Sequence, residues 1–400
     1  MALTILFSLF FLLILLAILV VLDFRGGRSK HQAQATDAVI TPKCNGKAKL
    51  IDDGQVFFNT LFQDIESARD HVHLSFFIWK EGRIGEQLLS LCERKARDGV
   101  QVLILVDRLG SSITKQVKTR VEQSGVVFAY THTPKFPYWF YNANRRYHRK
   151  IAVIDQRTAY IGGFNVGDEY IGKNPKYGFW RDLHIRIEGT ILDDIQQRFL
   201  DDWEGARAPK PNLITTPSDK VGSDTFQLFY SEGKGVVDKL NEWLNRAEHS
   251  ITIVTPYFIP SKVLHHTLMN KARGGVSVKI LIPDIEDHPF VKSAAYAYLP
   301  SLMEAGCKFY RYTDGFYHGK AMVIDGKEAQ IGSSNFDKRS FHLNDELDLV
   351  VPGGPFVQTI ATSLRKDIAG ATPLTLEDVK SRSVLNKCKT KVAVMISEFL

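Results

Sequence analysis

Apolar and polar positions alternate in blocks along this chain, and the blocks come twice. Residues 56–69 carry apolar side chains at helical spacing, with Phe57, Leu61, Phe62 and Ile65 on one face. Residues 72–79, Val72-His73-Leu74-Ser75-Phe76-Phe77-Ile78-Trp79, read as a strand. Residues 84–96 return to helical spacing and stop at Asp98-Gly99, and residues 100–107 read as a second buried strand. The order recurs further on: a helix over 236–247, a strand over 251–254, then Lys271-Ala272-Arg273-Gly274-Gly275 repeating Lys95-Ala96-Arg97-Asp98-Gly99, then a strand over 278–282. Helix and strand in alternation predict an α/β fold with a mixed or parallel central sheet, and their repetition predicts a duplicated unit.

Two further apolar runs carry chemistry. Ile151-Ala152-Val153-Ile154 is preceded by His148-Arg149-Lys150 and closed by Asp155. Ala321-Met322-Val323-Ile324 is preceded by His318-Gly319-Lys320 and closed by Asp325. A Gly-x-x-Asn follows each, ending at Asn165 and Asn335, and all these residues stand at one constant offset. In extended chain His148 and Lys150 share a face, as do His318 and Lys320. Such residues do not suit an apolar layer without polar partners. Brought together, the two pairs suit an anion, and phosphate foremost. One His can attack phosphorus while the other protonates the leaving oxygen. The lysines and the asparagine amides would hold the remaining oxygens. No metal and no cofactor is called for, because the chain supplies the cations. Asp155 and Asp325 belong to the same motif, yet each sits where a strand gives way to a turn, a structural place for an Asp.

The pattern His-x-Lys-x-x-x-x-Asp with a trailing Gly-x-x-Asn, present twice, resembles the phospholipase D superfamily. Asn144-Arg145-Arg146-Tyr147-His148, Gly162-Gly163-Phe164-Asn165, Trp180-Arg181-Asp182 and Asn335-Phe336-Asp337-Lys338-Arg339-Ser340-Phe341 resemble the bacterial cardiolipin synthases among them. Two details depart from that group: Ser333-Ser334 stands where Thr-Ala is usual, and Asn344-Asp345-Glu346 where Asn-Phe-Glu is usual. The resemblance covers residues 45–370. It implies two pseudo-symmetric α/β repeats with mixed central sheets flanked by helices and an active site between them. It also implies a covalent phosphohistidine-type intermediate and transfer of a phosphatidyl group. Asp182 and Glu346 are the expected acids behind the two histidines, fixing tautomer and ring orientation. They lie at different distances past Asn165 and Asn335, so they need not be equivalent.

The ends of the chain place this chemistry at lipid. Residues 2–22 are apolar apart from Thr4 and Ser8, long enough to cross a bilayer. Arg25, Arg28 and Lys30 follow, which predicts a single-pass anchor with the catalytic part in the cytoplasm. Residues 23–45 read as a loosely ordered linker. Repeats are expected at 46–205 and 221–370, with a Pro- and Thr-rich linker at 206–220 between them. The tail, 371–400, reads as a packing helix or one lying on the membrane surface. A net charge of +7 suits anionic lipid. Phe136-Pro137-Tyr138-Trp139-Phe140-Tyr141 beside Arg145-Arg146 suits a headgroup layer or a core edge, and Thr255 to Pro260 is expected to line an entrance. Nucleic acid is disfavoured as a partner by the anchor, and the four cysteines show no framework spacing. The reading is a phosphatidyltransferase joining two phosphatidylglycerols into cardiolipin and glycerol. A hydrolytic phospholipase D, a phosphodiester nuclease and a non-enzymatic lipid scaffold are its alternatives.

Overall fold

The computed structural model describes residues 1–211 and 218–399. Part of the expected inter-repeat linker therefore lies outside the described residues. The first repeat holds seven strands in the spatial order Val127–Thr131, Gln101–Asp107, His71–Phe76, Ile151–Ile154, Thr158–Gly162, Trp180–Gly189 and Cys44–Asp53. The first three are parallel and the rest antiparallel. The second repeat gives the same order and the same change of sense: Lys308–Tyr312, Ser277–Pro283, Ser250–Val254, Ala321–Ile324, Glu328–Gly332, Asp345–Val351 and Asp224–Glu232. The predicted mixed α/β duplication is what the chain forms.

Helices Gly54–Ser67 and Arg83–Arg97 bury their apolar stripes on the outer face of the first sheet, with Phe57, Leu61, Leu88 and Cys92 in the contact. Helices Val236–Arg246 and Lys262–Arg273 do the same for the second, through Leu240, Leu244, Leu264 and Leu268. The inner faces share one core, in which Leu105, Ile151, Ile185, Phe226, Val323 and Leu349 belong to a single cluster. Each such side chain contributes about 1.5–3 kcal/mol by burial, so the two halves are held in one register. Two short parallel contacts cross between them. Phe316-Tyr317 pairs with Trp180-Arg181, and Tyr147 bridges to Asp345. They are pseudo-two-fold images of each other.

Two expectations need correction. The linker over 23–45 is not loose. The amino-terminal helix runs unbroken over Ala2–Gln34, and strands Val39–Ile40 and Cys44–Asp53 follow it. Its second part docks on the body. Phe24 is buried against Phe140, Tyr141 and Phe399, Asp23 accepts the Tyr141 N–H at 2.8 Å, and Arg28 pairs with Glu398. Polar residues that read as solvated linker are the ones making these contacts. The tail packs on the body, one of the two readings expected of it: strand Thr372–Leu374 pairs with Lys308–Tyr312, and helix Val384–Met395 buries Ala393 against Ile259 and Val291. Finally, of the stretch Thr255 to Pro260, only Tyr257 reaches the central cavity, because Phe258 and Ile259 turn into the core.

Candidate active site

Both histidines arrive on the residues just before a central strand of their repeat. The His148 N–H donates to Asp345 O at 2.9 Å, and the His318 N–H donates to Arg181 O at 2.7 Å. Each histidine is thereby stitched to the opposite repeat. The side chains follow the same cross. His148 Nδ1 lies 2.9 Å from Glu346 Oε2, and His318 Nδ1 lies 2.5 Å from Asp182 Oδ2. Asp182 and Glu346 are therefore spatial equivalents, although their spacing in sequence differs. A carboxylate at Nδ1 holds the proton there and leaves Nε2 with its lone pair.

The two acids are seated differently. Gly163 leaves Asp182 its place, since a Cβ there would stand 1.9 Å from Asp182 Oδ1. The matching residue of the second repeat is Ser333, whose hydroxyl donates to Glu346 Oε2 at 2.5 Å. Ser340 donates to Oε1 at 2.7 Å. In the sequence Ser333 stands out as a departure from the cardiolipin synthase pattern and Ser340 as part of it, but neither as a partner of Glu346.

Lys150 and Lys320 lie beneath the rings, both buried. Lys150 Nζ donates to His148 O at 2.6 Å, while Lys320 Nζ donates to His318 O and sits 2.8 Å from His318 Nδ1. Burial pushes the Lys150 ammonium down to about 7 and Lys320 to about 8, against the pull of Glu346 and Asp182. Burial likewise pushes both imidazoles to about 4, assisted by the neighbouring lysines and opposed by their carboxylates. Burial alone would raise Asp182, but Lys320 and His318 bring it to about 2. Both imidazoles are thus neutral at pH 7, between paired anions and ammonium groups.

His148, His318, Asn165 and Asn335 line one cavity of about 460 Å³. Asn165 accepts the Ile78 N–H through Oδ1 at 3.0 Å, which turns its amide nitrogen away from that backbone. Arg146, Arg339, Tyr257, Asp287 and the Lys80–Glu169 pair complete the walls. Among the described residues, no group of three His, Cys, Asp or Glu side chains is placed to hold a metal ion.

Asp155 and Asp325, counted with the catalytic groups by their motif, are not part of this cluster. They lie at the far ends of their strands. Asp155 accepts the backbone N–H groups of Arg69, Asp70 and His71, and Asp325 those of Glu248, His249 and Ser250. Each pins the turn that leads into a neighbouring parallel strand.

The cardiolipin synthase, PLD-like domain family matches the chain at residues 61–203 and 240–368. The minor cardiolipin synthase ClsB of Bacillus subtilis (strain 168) is 34% identical over 383 residues, 96% of each chain. The cardiolipin synthase of Listeria welshimeri is 36% identical over 366 residues, 89% of this chain and 76% of that one. The fold resembles the crystal structure of phosphatidylserine synthase from Haemophilus influenzae Rd KW20, with a TM-score of 0.70 at 14% identity over 93% of this chain and 99% of that one. With one family module on each side of the histidine cavity and a relative of matching length, this chain belongs to the cardiolipin synthase family of phospholipase D-type enzymes.

Proposed function

We propose that the protein joins two phosphatidylglycerols into cardiolipin and glycerol through a phosphatidyl-histidine. His148 Nε2 attacks phosphorus, forming a P–N bond as the P–O bond to the first glycerol breaks. His318 gives that oxygen its proton. A hydroxyl of the second phosphatidylglycerol then loses its proton to His318 and attacks phosphorus, releasing His148. Neutral imidazoles suit the attack. The incoming phosphodiester anion raises the proton affinity of His318, which supplies the acid. Lys150, Lys320, Asn165 and Asn335 offset the charge that develops on the non-bridging oxygens. The observation that carries this reading is the crossed pair of carboxylate-held histidines on one cavity.

The apolar part of the amino-terminal helix is proposed as a membrane anchor. The helix is long and apolar enough to cross a bilayer, and its large side chains from Leu3 to Leu22 are exposed. Arg25, Arg28 and Lys30 favour a cytoplasmic catalytic body. Phe136 and Trp139, exposed beside the docked part of that helix, suit the headgroup layer.

Full-length protein incubated with labelled phosphatidylglycerol tests the reaction. Cardiolipin with glycerol is expected, and label from the phosphatidyl group on His148 after an alkaline quench, since the P–N bond is acid-labile. Phosphatidic acid as the sole lipid product would replace transfer by hydrolysis.

A further inference from the structure

The two halves of the site are not true mirror images, and the difference is a carboxylate. In the second repeat the loop after strand Ser277–Pro283 brings Asp287 into the wall of the cavity that holds both histidines. The matching loop of the first repeat, after strand Gln101–Asp107, contributes no lining residue. Asp287 is largely enclosed, with 12% of its side chain exposed. Its Oδ2 accepts the Tyr257 hydroxyl and its Oδ1 accepts the His288 N–H at 2.9 Å. Among the described residues, the one basic group within ion-pair reach is the exposed His288, at 3.8 Å. The other cavity acids are committed elsewhere: Glu169 pairs with Lys80, and Asp337 caps its own helix through the Ser340 N–H.

A carboxylate has about four acceptor positions, and two of these are filled. Asp287 lines a cavity whose proposed substrate carries a phosphate, which its charge would repel. The part of the substrate that suits Asp287 is therefore a hydrogen-bond donor next to the phosphate. A glycerol headgroup offers two adjacent hydroxyls, and a carboxylate accepts such a pair. Tyr257 follows strand Ser250–Val254, whose Val254 pairs with Ala321 just past His318, so the Tyr257–Asp287 pair sets this acceptor site in the repeat that carries His318.

We infer that Asp287, oriented by Tyr257, is the specificity-determining residue that accepts the free hydroxyls of the glycerol headgroup and so presents the reacting oxygen to His318. This rests on the phosphatidyl-transfer reading above. It also gives the two histidines different work, because only the His318 side recognises the alcohol that leaves and the alcohol that attacks. Water needs no such grip, so Asp287 separates transfer from hydrolysis.

The test compares full-length wild-type protein with Asp287→Asn, which keeps the shape and loses the charge. With labelled phosphatidylglycerol, the ratio of cardiolipin to phosphatidic acid is expected to fall at least about tenfold in the variant, the loss of a charge-assisted hydrogen bond. Phosphatidic acid release shares only the first step with cardiolipin formation, so it should fall less than cardiolipin does. Saturation-transfer NMR with free glycerol reads binding without turnover, and the wild-type signal is expected to vanish in the variant. An unchanged ratio of cardiolipin to phosphatidic acid, or equal glycerol signals, would each overturn the inference. A wild-type protein that makes no cardiolipin but shows the glycerol signal, lost in the variant, would remove the transfer reading and leave the glycerol site standing.

Discussion

Glu346, on a strand of the second repeat, holds Nδ1 of His148 in the first at 2.9 Å, and Asp182 returns the arrangement for His318. Neither repeat therefore contains a complete histidine–carboxylate unit. The crossing follows from the two parallel bridges that lay each histidine segment along the other repeat's acid-bearing strand. Duplication of the motif and dependence on the full chain are one fact: a single repeat would present its histidine with no acid behind it.

Glu346→Gln should therefore cripple the first step. The amide keeps the size but no longer stabilises a charged or correctly tautomeric ring, so kcat is expected to fall on the order of 10³-fold. Single-turnover assays with labelled phosphatidylglycerol read this. A loss under about tenfold would show that the carboxylate does not orient His148.

Gly163→Ala should fail through Asp182. The new methyl would sit 1.9 Å from Asp182 Oδ1, so the acid must move away from His318. Overpacking of this kind costs about 1–3 kcal/mol. The turnover loss should match that of Asp182→Asn, and the double variant should be no worse than either. Additive losses would place the effect of Gly163 elsewhere.

The pH profile follows from the buried groups. The attacking imidazole of His148 must be unprotonated, so kcat/KM falls as pH drops through about 4. The lysines must be charged to offset the phosphate, so kcat/KM also falls as pH rises through about 7 to 8. The alkaline limb thus combines the proton that His318 must carry as the acid, held low by burial, with the charges of Lys150 and Lys320. A flat profile from pH 6 to about 10, the ordinary range of lysine, would refute this assignment.

Asp155→Ala and Asp325→Ala should damage the fold and spare the chemistry. Each removes an acceptor of three backbone N–H groups at the entry to a strand. A loss of about 2 kcal/mol in stability is expected, read by denaturant unfolding. The kcat of the remaining folded protein should stay near wild type. A selective collapse of kcat would return these residues to the active site.

Removing residues 2–22 should free the protein from the membrane without unfolding it. The docked turn from Asp23 onward keeps its contacts with Tyr141, Phe399 and Glu398. Flotation with vesicles should lose the protein, while turnover on detergent-dispersed phosphatidylglycerol persists.

What the amino-acid order determined by itself is whatever depends on local periodicity and on repetition. Helix Arg83–Arg97 and strand Ser277–Pro283 declare themselves by apolar spacing, because burial of one face is a local demand. The paired His-x-Lys runs and their trailing asparagines were equally legible, since the duplication placed them at one offset. The strand Cys44–Asp53 was not: its alternating lysines carry no strong apolar signal, and pairing with Trp180–Gly189 is what makes it a strand. The run from Asp23 to Gln34 looked like linker because its partners, Tyr141, Gly233 and Glu398, are far away in sequence. For the same reason only the tertiary structure decided which acid serves which histidine, that Ser333 holds Glu346, and that Asp287 lines the cavity. Those relations are between repeats, and no spacing along one polypeptide encodes a distance across the interface.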